Sequence, residues 1–207
     1  MTPFTVLTGI ACPLGLANVD TDQLIPARFM SRPRGQGYGA VLLHDLRVAP
    51  DGASLGFILD DPRHAGAAVL VARRNFGTGS SREAAVYALA DFGIRCVIAP
   101  SFGDIFASNA VKTGVLPAQV SEQAVETLLH WLEAATRPEL TVDLETTTIR
   151  AGEATLPFAI DAVRRMQLLN GWDDLDLTLQ HSTAITAFRA QRRSAMPWLW
   201  PRGTNRA

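Results

Sequence analysis

A glycine- and serine-rich loop between an apolar run and a helical pattern constrains the fold of this chain more than any other feature. Residues 67–72 are continuously apolar, which is typical of a strand buried on both faces. The run Gly77-Thr78-Gly79-Ser80-Ser81-Arg82 follows, and a helical pattern then covers about residues 81–92. Residues 95–100, which are apolar after Arg95, predict a second buried strand. This order of strand, loop, helix and strand favours parallel strands with helices on the faces of the sheet.

The rest of the chain adds further elements to that sheet. Ala151-Gly152-Glu153 predicts the turn of a β-hairpin, and Gly93 predicts the end of the first helix. We therefore expect an α/β domain with a mixed sheet over residues 1–193, followed by a flexible tail over residues 194–207. The other predicted strands are residues 4–10, 140–149 and 155–160, and the other predicted helices are residues 101–112, 121–135, 161–169 and 182–191.

The glycine-rich loop has two local interpretations. Ser80 and Glu83 have the spacing of a capping box, which indicates a simple helix start with Ser80 as N-cap. Alternatively, free N–H groups at the helix start favour an anion, and the forked guanidinium of Arg82 suits a carboxylate. The loop lacks the lysine of a Walker loop and the further glycine of a dinucleotide fingerprint. The loop alone leaves both interpretations open.

A second candidate site lies near the N-terminus of the chain. Asp20 and Asp22 flank Thr21 in a segment without regular periodicity. Aspartates in such a segment are commonly turn formers, but they also orient cations and hydroxyl groups in sites. Arg28 is either a surface arginine or a partner for a substrate carboxylate. None of the four histidines has a spacing that indicates a catalytic base.

Composition excludes several classes of function. The net charge of −1 gives no field that would attract nucleic acid or an anionic membrane. Cys12 and Cys96 are far apart and provide no zinc or iron–sulfur ligand set, so we expect no metal bound by this chain. No apolar run reaches the length of a membrane span, and the start of the chain does not resemble a signal peptide. These features predict a cytoplasmic protein.

Several ordered motifs resemble one known family. Residues 18–29 resemble the opening signature of the small subunits of 3-isopropylmalate dehydratase, and residues 75–83 are similar to a loop of the aconitase superfamily. Residues 98–106 and 114–117 continue this resemblance. Later motifs at residues 158–161 and 177–181 extend it, so that it spans about residues 4–190.

The resemblance implies a fold, a reaction and a partner. The fold is a swivelling β/β/α three-layer domain, like the aconitase C-terminal domain. The reaction is the isomerisation of 2-isopropylmalate and 3-isopropylmalate by dehydration and rehydration, in leucine biosynthesis. A large subunit would carry the 4Fe-4S cluster, and the dicarboxylate substrate would be converted only by the heterodimer or a higher heteromer.

The resemblance also implies roles for individual residues. Ser80 matches a serine that removes, as an alkoxide, the proton from the carbon next to a carboxylate. Arg82 matches an arginine that binds that carboxylate, and Asp22 matches an acidic residue that helps the hydroxyl leave. The substrate-binding residues implied in this way are Ser81, Gly79, Thr78 and Arg28.

The chain departs from the family pattern beside these residues. Members usually have histidine after Ser-Arg-Glu, whereas Ala84 and Ala85 follow Glu83 here, and Thr78 stands where many members have cysteine. Two alternatives therefore stay open. One is a divergent paralogue for another malate-type substrate, such as citraconate/2-methylmalate or homoaconitate. The other is a non-catalytic anion-binding partner domain.

Overall fold

Seven strands form one mixed sheet in the computed structural model, which describes residues 1–200. The strand order is β4-β3-β2-β1-β5-β6-β7. Strands β1 to β4 pair in parallel, and β1, β5, β6 and β7 pair antiparallel. The mixed sheet predicted from the sequence is therefore confirmed. The strands are β1 (Val6–Pro13), β2 (Val69–Val71), β3 (Cys96–Ala99), β4 (Leu116–Gln119), β5 (Glu139–Asp143), β6 (Thr148–Ala151) and β7 (Ala154–Pro157).

Eight α-helices are present within residues 1–200, and several of their ends follow local sequence signals. The predicted stop at Gly93 is confirmed, because this residue takes the left-handed conformation with φ 113°. The Ser121 side chain accepts a hydrogen bond from the Ala124 N–H and begins the third long helix. The helices are α1 (Thr21–Leu24), α2 (His44–Arg47), α3 (Glu83–Phe92), α4 (Asp104–Thr113), α5 (Glu122–Ala134), α6 (Ala162–Asn170), α7 (Asp174–Leu179) and α8 (Ser182–Ala195).

Strand β2 shows why the apolar run is continuous. Leu70 belongs to a hydrophobic cluster that includes Val86 and Leu89 of α3. Its neighbours Val69 and Val71 belong to a second cluster, with residues of α5. Successive side chains of a strand point to opposite faces, so both faces of β2 are buried.

Several elements differ from the sequence-based expectation. The strand expected over residues 140–149 is interrupted near Thr147, which has a φ of 53°, and therefore forms β5 and β6. The hairpin around Gly152 is present as β6 and β7. Strand β4 was not predicted, because Pro117 is a poor strand former and is tolerated only because β4 lies at an edge of the sheet. Helices α1, α2 and α7 were not predicted either.

The chain divides into two compact units, residues 1–172 and residues 173–207. The second unit contains α7, α8 and a 3-10 turn at Pro197–Leu199, and Phe188 and Trp198 are exposed. The predicted tail covers residues 194–207, of which residues 201–207 lie outside the described residues. Between residues 1 and 200, no helix is long and apolar enough to cross a membrane.

A buried histidine connects the 3-10 turn Pro62–His64 to β1. The His64 side chain is 2% exposed, and its Nδ1 lies 3.0 Å from the Ala11 carbonyl oxygen. Its Nε2 has no hydrogen-bond partner among residues 1–200. Burial lowers the pKa of His64, because the charged imidazolium is poorly solvated there.

We expect acidification to destabilise the chain through His64. The unfolded chain takes up a proton near the ordinary histidine pKa of about 6.5, whereas the folded chain resists it. The free energy of unfolding should therefore fall as the pH drops from about 6.5 towards the pKa of folded His64. The His64→Gln variant keeps a donor for the Ala11 carbonyl but does not titrate. Its melting temperature should fall less between about pH 7.5 and about pH 5.5; equal falls in both proteins would contradict the role of His64.

Candidate active site

The glycine-rich loop lies at the carboxyl ends of the parallel strands and is held by main-chain hydrogen bonds. The Gly77 N–H donates to the Val19 carbonyl at 2.7 Å, which ties the loop to the segment after β1. The Phe76 N–H donates to the Ser101 carbonyl at 3.0 Å, which ties it to the segment after β3. The segments that follow β1, β2 and β3 therefore meet here, as is common for ligand sites in open α/β sheets.

Two positions in this region require glycine. A Cβ at Gly77 would overlap the Phe106 ring, and the φ of Gly77 is 73°. A Cβ at Gly103 would lie 2.6 Å from the Gly77 carbonyl oxygen, which is closer than a carbon atom and a non-bonded oxygen can approach. Because Gly77 and Gly103 have no side chains, the loop lies directly against the start of α4.

An open depression of about 500 Å³ is lined by the loop and by the start of α4. Within residues 1–200, the N–H groups of Gly79, Ser80 and Ser81 donate no hydrogen bond. Unused N–H groups around a depression suit a negatively charged group. The lining residues are Gly77, Thr78, Gly79, Ser80, Ser81, Gly103, Asp104, Ile105 and Phe106.

The Ser80 hydroxyl interacts with α1 and does not cap α3. Its Oγ lies 2.7 Å from the Thr21 Oγ1. Arg82 is the N-cap residue of α3 and makes no side-chain capping bond, while the Glu83 carboxylate accepts from the Tyr87 hydroxyl at 2.9 Å. The capping-box prediction is therefore wrong. Gly79, with a φ of 103°, turns the chain so that Ser80 faces α1.

The two aspartates have different roles. Asp20 caps α1, accepting a hydrogen bond from the Gln23 N–H at 2.7 Å, so the turn-forming interpretation holds for this residue. Asp22 instead forms an ion pair with Arg82, across 60 positions of sequence. The Arg82 side chain is 24% exposed and that of Asp22 is 59% exposed, so this pair borders on solvent. Two predicted catalytic residues are therefore in direct contact.

Arg28 lies elsewhere. It forms an ion pair with Asp45, and it lines a separate depression together with His44 and Val48. The hydrogen bond from the Arg28 guanidinium lowers the pKa of Asp45 to about 2, and His44 contributes in the same direction. The structure thus brings Ser80, Ser81, Gly79 and Thr78 together around one depression, whereas Arg82, Asp22 and Arg28 are not among its lining residues.

Sequence reasoning missed Thr21 as a member of the site. This side chain is only 1% exposed, and its N–H donates to the Thr78 carbonyl at 2.9 Å. The available signal was its position between Asp20 and Asp22, two residues that were both singled out. Its contact with Ser80 spans 59 positions and has no local sequence signature.

The two thiols do not fit an iron–sulfur cluster. Cys12 and Cys96 are both fully buried and unpaired. Burial raises the pKa of Cys12 to about 12, and it raises the pKa of Cys96 as well. Cluster ligands are thiolates, so burial of this kind opposes ligation. Across residues 1–200, no group of three or more His, Cys, Asp or Glu residues could hold a metal ion.

Comparisons with known proteins agree on one family. Residues 1–123 match the family model of the aconitase C-terminal domain, and residues 174–202 match the model of the C-terminal domain of 3-isopropylmalate dehydratase small subunits. The chain is 46% identical to the 3-isopropylmalate dehydratase small subunit of Brevibacillus brevis, over 93% of this chain and 100% of that protein. It is also 46% identical to the protein of that name from Rhodospirillum centenum, over 96% and 98%.

A solved structure supports the fold. The crystal structure of 3-isopropylmalate dehydratase (leuD) from Methanocaldococcus jannaschii has a TM-score of 0.61 to this chain and 24% identity, and the match covers 89% of this chain and 99% of that one. The sheet, the loop and the first family match define an aconitase C-terminal domain. Within this class, the chain belongs to the family of 3-isopropylmalate dehydratase small subunits. The resemblance and fold class expected from the sequence are confirmed.

Proposed function

We propose that this chain is the small subunit of a hydro-lyase that interconverts 2-isopropylmalate and 3-isopropylmalate in leucine biosynthesis. The observation that carries the proposal is the position of Ser80 in the lining of the depression, among unused N–H groups. A hydroxyl in such surroundings is suited to act as a base towards a carbon acid, because the N–H groups stabilise negative charge.

The proton transfer follows from this arrangement. The N–H groups of Gly79 and Ser81 bind the substrate carboxylate, with Thr78 in the lining beside them. The Arg82 guanidinium, which follows the loop and is paired with Asp22, binds the same carboxylate when the substrate is present. The Ser80 alkoxide takes the proton from the adjacent carbon, and the electron pair moves towards the carboxylate. Arg82 stabilises the charge that develops there. Asp22 orients Arg82 through their ion pair and assists departure of the hydroxyl.

The proposal includes a large-subunit partner, in a heterodimer or higher heteromer, that carries the 4Fe-4S cluster. Cys12 and Cys96 are unsuited to that task, and the named relatives are all small subunits. It also includes a cytoplasmic location, which the two unpaired cysteines support. Arg28 stays a predicted substrate-binding residue, in a depression of its own.

The alanines after Glu83 favour a second candidate, a related enzyme for another malate-type substrate. Both alanines belong to α3. Ala84 is half-buried against the hydrophobic core, and Ala85 is fully buried. A methyl group thus stands where the family resemblance implies an imidazole, in the first turn of the helix that follows the loop. Citraconate and homoaconitate are the natural alternatives to test.

An anaerobic co-purification with the large subunit of the same organism tests the proposal. The complex is treated with iron and sulfide and assayed on 2-isopropylmalate, citraconate and homoaconitate. We expect activity on 2-isopropylmalate that neither protein shows alone. A stable complex that prefers another of these substrates would support the second candidate. A complex inactive on all three would support a non-catalytic domain.

A further inference from the structure

Thr21 is a buried hydroxyl with a single partner. It lies at the first position of α1, and its side chain is buried while its neighbour Asp22 is exposed. Among the described residues, its Oγ1 has one hydrogen-bond partner, the Ser80 Oγ at 2.7 Å. A buried hydroxyl without a hydrogen-bond partner destabilises the folded protein. The contact with Ser80 is therefore needed to satisfy the Thr21 hydroxyl.

The position of the Thr21 hydroxyl is fixed by the main chain. Asp20 and Gln23 form a reciprocal capping box at the start of α1, with contacts of 2.7 Å and 3.0 Å. The Thr21 N–H donates to the Thr78 carbonyl at 2.9 Å, which joins α1 to the loop that carries Ser80. Leu24 is fully buried and anchors the helix in the core. Because threonine is β-branched, few side-chain rotamers remain for its hydroxyl.

We propose that Thr21 is a positioning residue that donates its hydroxyl hydrogen to Ser80 while Ser80 acts as the base. This inference rests on the proposed function. A Ser80 alkoxide has no hydrogen to give, so the 2.7 Å contact can persist only with Thr21 as donor. A hydrogen bond to the charged form favours that form, and Thr21 therefore makes the alkoxide more accessible near neutral pH.

The exchange of protons is balanced. The substrate C–H bond breaks, a new O–H bond forms on Ser80, and the electron pair stays on the substrate. Ser80 can then donate to the Thr21 oxygen, so the same contact serves both protonation states. Thr21 itself neither gains nor loses a proton in this step.

The Thr21→Val variant tests the inference in the assembled two-subunit enzyme. Valine keeps the shape and the β-branching but removes the hydroxyl. We expect kcat to fall about 10- to 100-fold, which corresponds to one lost hydrogen bond to a charged group, with KM changed less than about threefold. The rising limb of the pH–rate profile should move to higher pH, because Ser80 becomes harder to deprotonate. Thr21→Ser should restore most of kcat and the original profile.

Control variants distinguish a failure of the proposed function from a failure of the role proposed for Thr21. Thr127→Val removes a threonine hydroxyl that, among residues 1–200, bonds only the Gln123 carbonyl in α5, and it should leave kcat and the pH profile unchanged. If Ser80→Ala retains activity, the proposed function fails. If Ser80→Ala is inactive while Thr21→Val matches the parent in kcat and pH profile, only the role of Thr21 fails. Should Thr21→Val not assemble, Thr21→Ala makes the same deletion without bulk, and a normal profile there would overturn the inference.

Discussion

Replacing Ser80 by alanine is expected to lower kcat of the two-subunit enzyme about 10³-fold, within the range that a general base contributes. The substitution removes the oxygen that we propose accepts the substrate proton, while the N–H groups of the loop remain. KM should change little, because the groups proposed to bind the carboxylate, the loop N–H groups and Arg82, are retained. Steady-state kinetics of the reconstituted complex measure both constants.

The matched control for this experiment is Ser108→Ala in α4. Ser108 makes no side-chain hydrogen bond to any described residue and does not line the depression. Its variant should retain kcat within about twofold, because no buried polar group loses a partner. If the Ser80 variant assembled normally and were as active as the Ser108 variant, Ser80 would not be the base.

Replacing Arg82 by lysine is expected to lower kcat/KM by about 10²- to 10³-fold, comparable to the loss of one donor from an oxyanion hole. Lysine keeps the charge but not the planar fork that binds a carboxylate through two hydrogen bonds. In the structure one arm of the Arg82 guanidinium already contacts Asp22, so its orientation depends on the fork geometry. An ammonium group cannot satisfy Asp22 and the substrate in the same way.

Arg63→Lys is the matched control for Arg82. Arg63 also forms an ion pair with an aspartate, Asp61 at 3.0 Å, but it does not neighbour the glycine-rich loop in sequence. Its replacement should leave kcat/KM unchanged within about twofold, since exposed ion pairs contribute little. Equal kinetics for the two lysine variants would exclude Arg82 from binding the reacting carboxylate.

The sequence predicts the parts of this fold that depend on neighbouring residues. The apolar runs of β2 and β3 and the glycine that ends α3 are local signals, and each of these elements is present. The same holds for the hairpin around Gly152. Strand β4 has only four residues and includes Pro117, so its periodicity carries too little information to identify it.

The contacts within the candidate site depend on residues far apart in sequence. Asp22 and Arg82 were both singled out, but nothing local indicates that they form an ion pair across 60 positions. Ser80 had the spacing of a capping residue, and only its approach to Thr21 shows that it does not cap α3. Arg28 and Asp45 illustrate the opposite case, in which a predicted site residue has a partner elsewhere.

The buried thiols of Cys12 and Cys96 bear on how this protein can be handled. Alkylating reagents and oxidants react with thiolates, and neither cysteine is accessible or ionised near neutral pH. We expect the folded protein to withstand air and maleimide dyes that would damage the cluster of the proposed partner. A cysteine introduced on the exposed surface could then be labelled selectively, and fluorescence would report the docking of the two proteins without interference from the native thiols.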